Sequence, residues 1–354
     1  MSEIELLKGV GSVALTKFQS VNINTIEELA NTEPSILIKA GFTEKSANNF
    51  IKSAKESIHK SAFVTGNELI EREAGKEKLN TNVPELNDLV RGGISTGCIT
   101  QIYGEYGHGK SQFVHQLAIN TCLPKSVGGL DGSVIWLDTE ETSSVHRLRE
   151  MIEGVSYIHG IKVKEKDILD RIYITSVLSS EQQFTQLNAA FVKAEDIIAE
   201  GKSPVKLIIV DSLIALFRNE YVGRGTLSDR QQLLGQFLNI LRLFAINHKA
   251  VALVTNQIQS NPAVFFGDPN KPTGGNITGH QCKYIFSIHK AKEGKRKFTL
   301  RDAPDCPDGE AIAILTKYGF VPTDFDINVF GEPPKKVVEE SKDVENVDEV
   351  ELIE

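Results

Sequence analysis

Residues 104–112 read GEYGHGKSQ, and the placement of Gly104, Gly109, Lys110 and Ser111 fits the pattern GxxxxGK[ST]. The stretch follows a predicted strand, CITQIYG, and opens a predicted helix, QFVHQLAINTC. Glycines in such a strand-to-helix turn let backbone N–H groups curl around phosphate oxygens. Lys110 then reaches the β- and γ-phosphates, and the Ser111 hydroxyl can bind Mg2+. Glu105, Tyr106, Gly107, His108 and Gln112 complete the expected nucleotide-binding loop. His108 puts a bulky imidazole where a small residue is usual, and its ring is expected to point outward.

Outward from this loop the chain alternates short apolar runs with helical stretches. The runs VIWLDTE, RIYITSV, VKLIIVDS and KAVALVTNQ are rich in Ile and Val without strict alternation. That pattern suits strands buried on both faces of a mostly parallel sheet in an α/β core spanning 81–330. VKLIIVDS ends in Asp211, a carboxylate suited to placing Mg2+. VIWLDTE ends in Asp138 and Glu140, and Glu140 is the candidate catalytic base beside the γ-phosphate. Gln257, closing VALVTNQ, is the candidate sensor of that phosphate.

Residues 1–60 carry helix-forming patterns, and LKGVGSVALTKF places Gly9 and Gly11 in a turn with helix-hairpin-helix spacing. Such a turn offers backbone N–H groups to a DNA phosphate without reading sequence, although a plain protein-binding helical domain fits the same residues. Residues 61–80 lose the apolar period and read as a linker in which Phe63 stands out. The segment 331–354, with Pro333 and Pro334, reads as an acidic disordered tail. It carries eight acids and one base between Glu339 and Glu354, so seven of the eight excess negative charges of the 354-residue chain sit there. The remainder is near neutral and can carry local basic surfaces.

Composition is that of a soluble globular protein, with 40% hydrophobic and 24% charged residues. No apolar run approaches the roughly 20 residues of a membrane span, and MSEIELLKGV lacks the cationic start and apolar centre of a signal peptide. Cys98, Cys122, Cys282 and Cys306 show no CxxC spacing, which suits buried thiols in a reducing compartment. A cytoplasmic location and no membrane partner are expected.

Taken together these stretches resemble the RecA-fold strand-exchange recombinases, most closely their archaeal RadA branch. The likeness runs from about residue 5 to 325. It rests on LKGVG, FVTG (63–66), GEYGHGKSQ, WLDTE, LIIVDS, FRNEYVGRGTLSDRQQ (217–232), VTNQ, FFGDPNKPTGG (265–275) and DAPDCPDGEA (302–311). The resemblance implies a RecA-like P-loop ATPase core with a small all-α N-terminal domain, and DNA-dependent ATP hydrolysis with Mg2+. It implies Lys110, Glu140 and Gln257 as catalytic residues and Arg147 stacked on adenine. Phe63, Thr65 and Gly66 would dock on the next protomer, giving helical filaments or rings. Asp302 and Pro307 would cap the neighbour's ATP near a further monovalent cation such as K+.

Two loops would meet single- and double-stranded DNA. Arg218, Arg224 and Arg230 belong to the first, and Gly274 and Gly275 to the second. Nucleoid association and recombination mediator proteins follow from the same resemblance. KAKEGKRK (290–297) reads as an exposed hairpin turn. The chain departs from the pattern at Ser143 and Ser144, which replace Phe and Arg, and at His108, Asn276 and Asp308. The rival reading is a non-exchanging paralogue that binds ATP and regulates recombination. A hexameric helicase fits less well, since it lacks the cap and FVTG.

Overall fold

The computed structural model describes residues 4, 7, 10–21, 23, 25–62, 64–223, 225–260, 270–274 and 276–331. The chain forms two compact units, residues 1–75 and 76–354.

Among its described residues the first unit carries the helices α1 (Ser12–Gln19), α2 (Ile26–Asn31), α3 (Pro34–Lys39), α4 (Glu44–Ala62) and α5 (Gly66–Ala74). Its core gathers Phe18, Leu29, Leu37, Ala47, Ile51 and Ala54, with Phe18, Phe42 and Phe50 in mutual ring contact at 5.0–5.4 Å. The starts of α2 and α3 have local causes. Thr25 and Glu28 form a reciprocal capping box on α2, and Pro34 occupies the first turn of α3. Gly11, the N-cap of α1, is extended, while Gly9 and the helix expected before it fall largely outside the described residues.

The stretch 61–80, expected as an irregular linker, divides in two. Thr65 and Glu68 form a capping box, Thr65 N–H donating to Glu68 Oε2 at 2.7 Å, and this starts α5 although none of its residues is buried. Residues 76–80 belong instead to the second unit. There Leu79 is buried, and the Glu77 carboxylate accepts from Lys206 at 2.6 Å and also pairs with Lys125.

The second unit continues with β1 (Lys78–Leu79), α6 (Pro84–Leu89), β2 (Ile94–Ser95), β3 (Cys98–Tyr103), α7 (Lys110–Cys122), β4 (Ser133–Asp138), α8 (Val145–His159), α9 (Glu165–Leu169), β5 (Ile172–Ser176), α10 (Ser180–Ala199), β6 (Val205–Asp211), α11 (Ala215–Glu220), α12 (Leu227–Asn247) and β7 (Val251–Asn256). It closes with β8 (Ile258–Ser260), β9 (Asn270–Pro272), α13 (Asn276–Gln281), β10 (Tyr284–Lys290), β11 (Lys295–Asp302), β12 (Gly309–Thr316) and β13 (Gly319–Pro322).

Nine strands form one sheet in the order β13-β12-β11-β10-β3-β7-β6-β4-β5. From β10 to β5 the pairing is parallel; β11, β12 and β13 add an antiparallel flank. The five runs singled out in the sequence are β3, β4, β5, β6 and β7, and KAKEGKRK is the turn region between β10 and β11.

The near-continuous apolar strands are explained by two cores, one on each face. In β6, Leu207 and Ile209 enter the core shared with α6, α7, α8 and α9. Ile208 and Val210 enter the core shared with α10, α11 and α12. Full burial of each such side chain contributes about 1.5–3 kcal/mol, so the register of the parallel strands is fixed from both sides. The carboxyl ends of β3, β4, β6 and β7 thereby come together at one edge, where ligands bind in open α/β sheets. Cys98, Cys122 and Cys282 are buried as free thiols, with Cys306 half-buried. No helix among the described residues is long and apolar enough to cross a membrane.

Candidate nucleotide site

The chain leaves β3 at Gly104, where a Cβ would lie 2.5 Å from the Ile288 carbonyl oxygen of β10, so only glycine passes. Gly107 (φ 72) and Gly109 (φ 111) adopt the left-handed backbone that returns the loop to α7. α7 begins at Lys110 with no side-chain cap on its N-terminus. Its first-turn N–H groups and helix dipole therefore point at the loop as a ready anion cradle. Lys110 Nζ donates to the carbonyls of Gly104 (2.9 Å) and Glu105 (3.0 Å), oxygen acceptors of the kind a phosphate also offers. Burial lowers the Lys110 pKa, while the nearby Asp211 and Glu140 carboxylates oppose that shift. Tyr106 stands at the crest, 99% exposed.

His108 does not point outward. Its Nδ1–H donates to the Ile288 carbonyl at 3.2 Å, and its ring meets His289 edge-on at 5.8 Å. Arg296 Nε donates to the His108 carbonyl at 2.9 Å. The polar backbone of β10 and β11 beside the loop gives the imidazole a partner that solvent exposure would not improve upon.

The acidic strand ends converge next to this cradle. Glu140 Oε1 accepts from Ser212 Oγ at 2.8 Å and from Gln257 Nε2 at 2.7 Å, joining residues up to 117 positions apart. Asp211 is 1% exposed; Oδ2 accepts from Thr142 Oγ1 at 2.7 Å and Oδ1 accepts from Thr255 Oγ1. Asp138, equally buried, accepts from three backbone N–H groups: Glu140 (3.3 Å), Thr142 (3.1 Å) and Ser143 (2.9 Å). It holds the turn that presents Glu140. Thr139 ties that turn to β6, its N–H donating to the Asp211 carbonyl and its hydroxyl to the Ser212 carbonyl, both at 2.8 Å.

His115 joins the phosphate loop to the same turn. Its Nδ1–H donates to the Ser111 carbonyl at 2.6 Å, which leaves Nε2 to accept from Ser144 N–H at 2.9 Å. Burial lowers its pKa and keeps the ring neutral, as that acceptor role requires. Of the two departures, Ser144 caps α8, its hydroxyl oxygen accepting from Arg147 N–H; at 143 the bond to Asp138 comes from the backbone N–H, and nothing in the structure explains the serine side chain. Arg147 is held by Gln112 Oε1, Glu150 and the carbonyls of Thr316 and Lys317.

Sequence reasoning missed Asp138 as the turn's anchor, as well as Ser212, Thr255, Thr142 and His115. The available signal was polarity at strand ends and a lone histidine within the buried face of α7.

Of the expected DNA residues, Arg218 is exposed on α11 and Arg230 lies half-buried in the first turn of α12. Arg224 and Gly275 lie outside the described residues. Gly274 (φ 105) is wedged against Thr278, Leu234 and Ile214, so close packing and backbone conformation both require glycine there. The second loop re-enters at Thr273, whose N–H donates to the Gln257 carbonyl (3.0 Å) and whose carbonyl accepts from Asn256 Nδ2 (2.6 Å).

Asp302 and Pro307 are exposed, and the chain does not bring them to its own phosphate loop. Their connection reaches Lys283, which pairs with Asp305 at 2.9 Å. Lys283 bonds to Ile99, five residues down β3 from Gly104, roughly 16 Å along the strand. There Asp302 borders a cleft of ≈ 440 Å³ with Arg242, His280, Lys283 and Pro304. Thr65 and Gly66 begin α5, and Phe63 lies outside the described residues. At the far edge of the sheet, β5 has a neighbour on one side only among the described residues, and borders a cleft of ≈ 110 Å³ lined by Ile135, Tyr173, Ile174, Gln186, Ala190 and Lys193, among others.

The sequence model of the Rad51 family matches residues 75–323. The chain belongs to the Rad51 family. It is 41% identical over 325 residues to the DNA repair and recombination protein RadA of Methanoculleus marisnigri, covering 91% of this chain and all of that relative. The corresponding protein of Methanocorpusculum labreanum is also 41% identical over 325 residues, covering 90% and 98% of the two chains. That of Halobacterium salinarum is 39% identical over 350 residues, covering 91% and 99%.

Proposed function

We propose that this chain is an ATP-dependent recombinase of DNA repair, a DNA-dependent ATPase that assembles on single-stranded DNA and exchanges strands with a homologous duplex. The observation that carries this reading is the Glu140 carboxylate held between Ser212 and Gln257 at the mouth of the Lys110 loop. A carboxylate placed there orients a water for in-line attack on a γ-phosphate, and Gln257, which already touches it, registers whether that phosphate is present. Lys110 moves its donors from the Gly104 and Glu105 carbonyls to the phosphates, and the uncapped α7 N-terminus receives their oxygens. Ser111 and Asp211 would hold Mg2+, which when bound neutralises phosphate charge. Thr142 and Thr255 fix the Asp211 carboxylate for that task. Arg147 borders the loop through Gln112 and is the residue proposed to meet the adenine.

Assembly follows from the separation of parts. Asp302 and Pro307, remote from their own loop, are proposed to cap the ATP of the next protomer, with a monovalent cation near Asp302. Segment 63–66 is proposed to dock on the ATPase core of the next protomer, at the open edge of that protomer's β5 and its cleft. Arg218, Arg224 and Arg230 would neutralise DNA phosphates while the glycine-rich second loop approaches the backbone.

The test is strand exchange between a labelled single-stranded oligonucleotide and a homologous duplex, with ATP and Mg2+ and a heterologous duplex as control. Homology-dependent product is expected. Binding of ATP and DNA without exchange would instead assign the chain to regulation of recombination.

A further inference from the structure

The root of the first DNA loop is gripped by the N-terminal turn of α10. Three positions on one face of that turn, Ser180, Gln183 and Phe184, meet the Leu213 carbonyl just before α11 and two positions on one face of α11, Phe217 and Glu220. Gln183 Nε2 donates to the Leu213 carbonyl at 3.1 Å. The Phe184 and Phe217 rings meet edge-on at 6.1 Å. Glu220 accepts from Ser180 N–H at 2.7 Å through Oε1, and from the Ser180 hydroxyl through Oε2.

The spacings 180, 183, 184 in α10 and 217, 220 in α11 are those of single helical faces. Arg218 sits about 100° around the helix from Phe217 and about 200° from Glu220. It is exposed while Phe217 is buried. A carboxylate on the N-terminus of a 20-residue helix is favoured by that helix's orphan N–H groups and dipole. The rotation of α11 is therefore set at both ends, and with it the direction in which Arg218 leaves the surface.

We propose that Glu220 is a positioning residue for DNA: seated on α10, it fixes the face on which α11 presents Arg218 and the point, at Tyr221, from which the chain leaves the helix. This rests on the reading of Arg218 as a DNA contact.

The sign of one measurement separates this role from that of an ordinary surface acid. Removing a negative charge beside a phosphate-binding surface tightens DNA binding by electrostatics alone. Loss of a positioning contact weakens it. Binding of a fluorescent single-stranded oligonucleotide to the full chain with ATP and Mg2+ is measured for wild type, Glu220→Gln, Ser180→Ala, Arg218→Ala and the double variant Glu220→Gln/Arg218→Ala. Glu220→Gln is expected to weaken binding about fivefold and Arg218→Ala by a similar factor, each the scale of one charge-assisted contact. Ser180→Ala, which keeps the N–H donor, is expected to weaken it less. The double variant is expected to bind no worse than Arg218→Ala, because the two act through one contact.

Thermal unfolding checks that each variant is folded; should Glu220→Gln fail, Ser180→Ala carries the test. Unchanged or tighter binding in Glu220→Gln, or losses that simply multiply in the double variant, would overturn the inference alone. Unchanged binding in Arg218→Ala would remove the loop reading and the inference with it.

Discussion

Asp138→Asn is the substitution with the most specific expected outcome, because it changes one atom type in a site where every partner is known. The native carboxylate is buried and accepts three backbone N–H groups, at 3.3, 3.1 and 2.9 Å. An asparagine keeps one acceptor oxygen. Placed at Oδ1 it still serves Glu140 and Thr142, but its NH2 then faces the Ser143 N–H, donor against donor. One hydrogen bond to a charged acceptor is lost, worth about 1.5–3 kcal/mol, and the other two weaken to neutral ones. The expected destabilisation is about 3 kcal/mol. Trp136, the single tryptophan of the chain, is fully buried on β4 two residues before Asp138, so its fluorescence reports urea unfolding where the change is made. The turn that presents Glu140 is released at the same time. A displacement near 1 Å costs on the order of 10²-fold in turnover, while the KM for ATP is expected to hold because Lys110 and the loop glycines are untouched. An unfolding free energy within about 0.5 kcal/mol of wild type, together with turnover within about twofold, would show that Asp138 does not hold the turn.

Three further outcomes follow from features elsewhere in the chain. Gly104→Ala drives a Cβ into the Ile288 carbonyl; overpacking of this kind costs about 1–3 kcal/mol, and both a lower unfolding midpoint and lost ATP binding are expected by calorimetry. Burial lowers the His159 pKa to about 4 from an ordinary 6.5. The unfolded chain therefore binds a proton first as pH falls, and stability present above pH 6.5 declines by about 3 kcal/mol on the way to pH 4; His159→Leu is expected to flatten that part of the urea-midpoint profile. Glu77→Gln releases Lys125 and Lys206. It is expected to cost about 1 kcal/mol, a half-exposed pair's worth, and the difference from wild type should shrink in 1 M NaCl.

Strands β3, β4, β6 and β7 were legible because each is buried on both faces, which makes the apolar run continuous and short. The phosphate loop was legible because its glycines and lysine sit at fixed spacing between a strand and a helix. The contacts that make the site were not. Nothing local to Glu140 says that Gln257 lies against it; the parallel order of β3, β7, β6 and β4 does. His108 turns inward because Ile288, 180 positions later, supplies a carbonyl. His115 looked like one more helix residue until its two nitrogens were placed between Ser111 and Ser144. The start of α5 is marked in the sequence by Thr65 followed by Glu68, a capping-box signature, but the helix buries none of its residues.

The distance between the phosphate loop and the segment bearing Asp302 and Pro307 has a consequence for how activity scales. On the proposed reading a chain that cannot reach around its own sheet completes no site in isolation, and n chains in a row complete n − 1. Output per chain should therefore rise with protein concentration at fixed ATP, steeply while fragments are short and then levelling. A shortage of subunits would act as an off switch with no inhibitor involved.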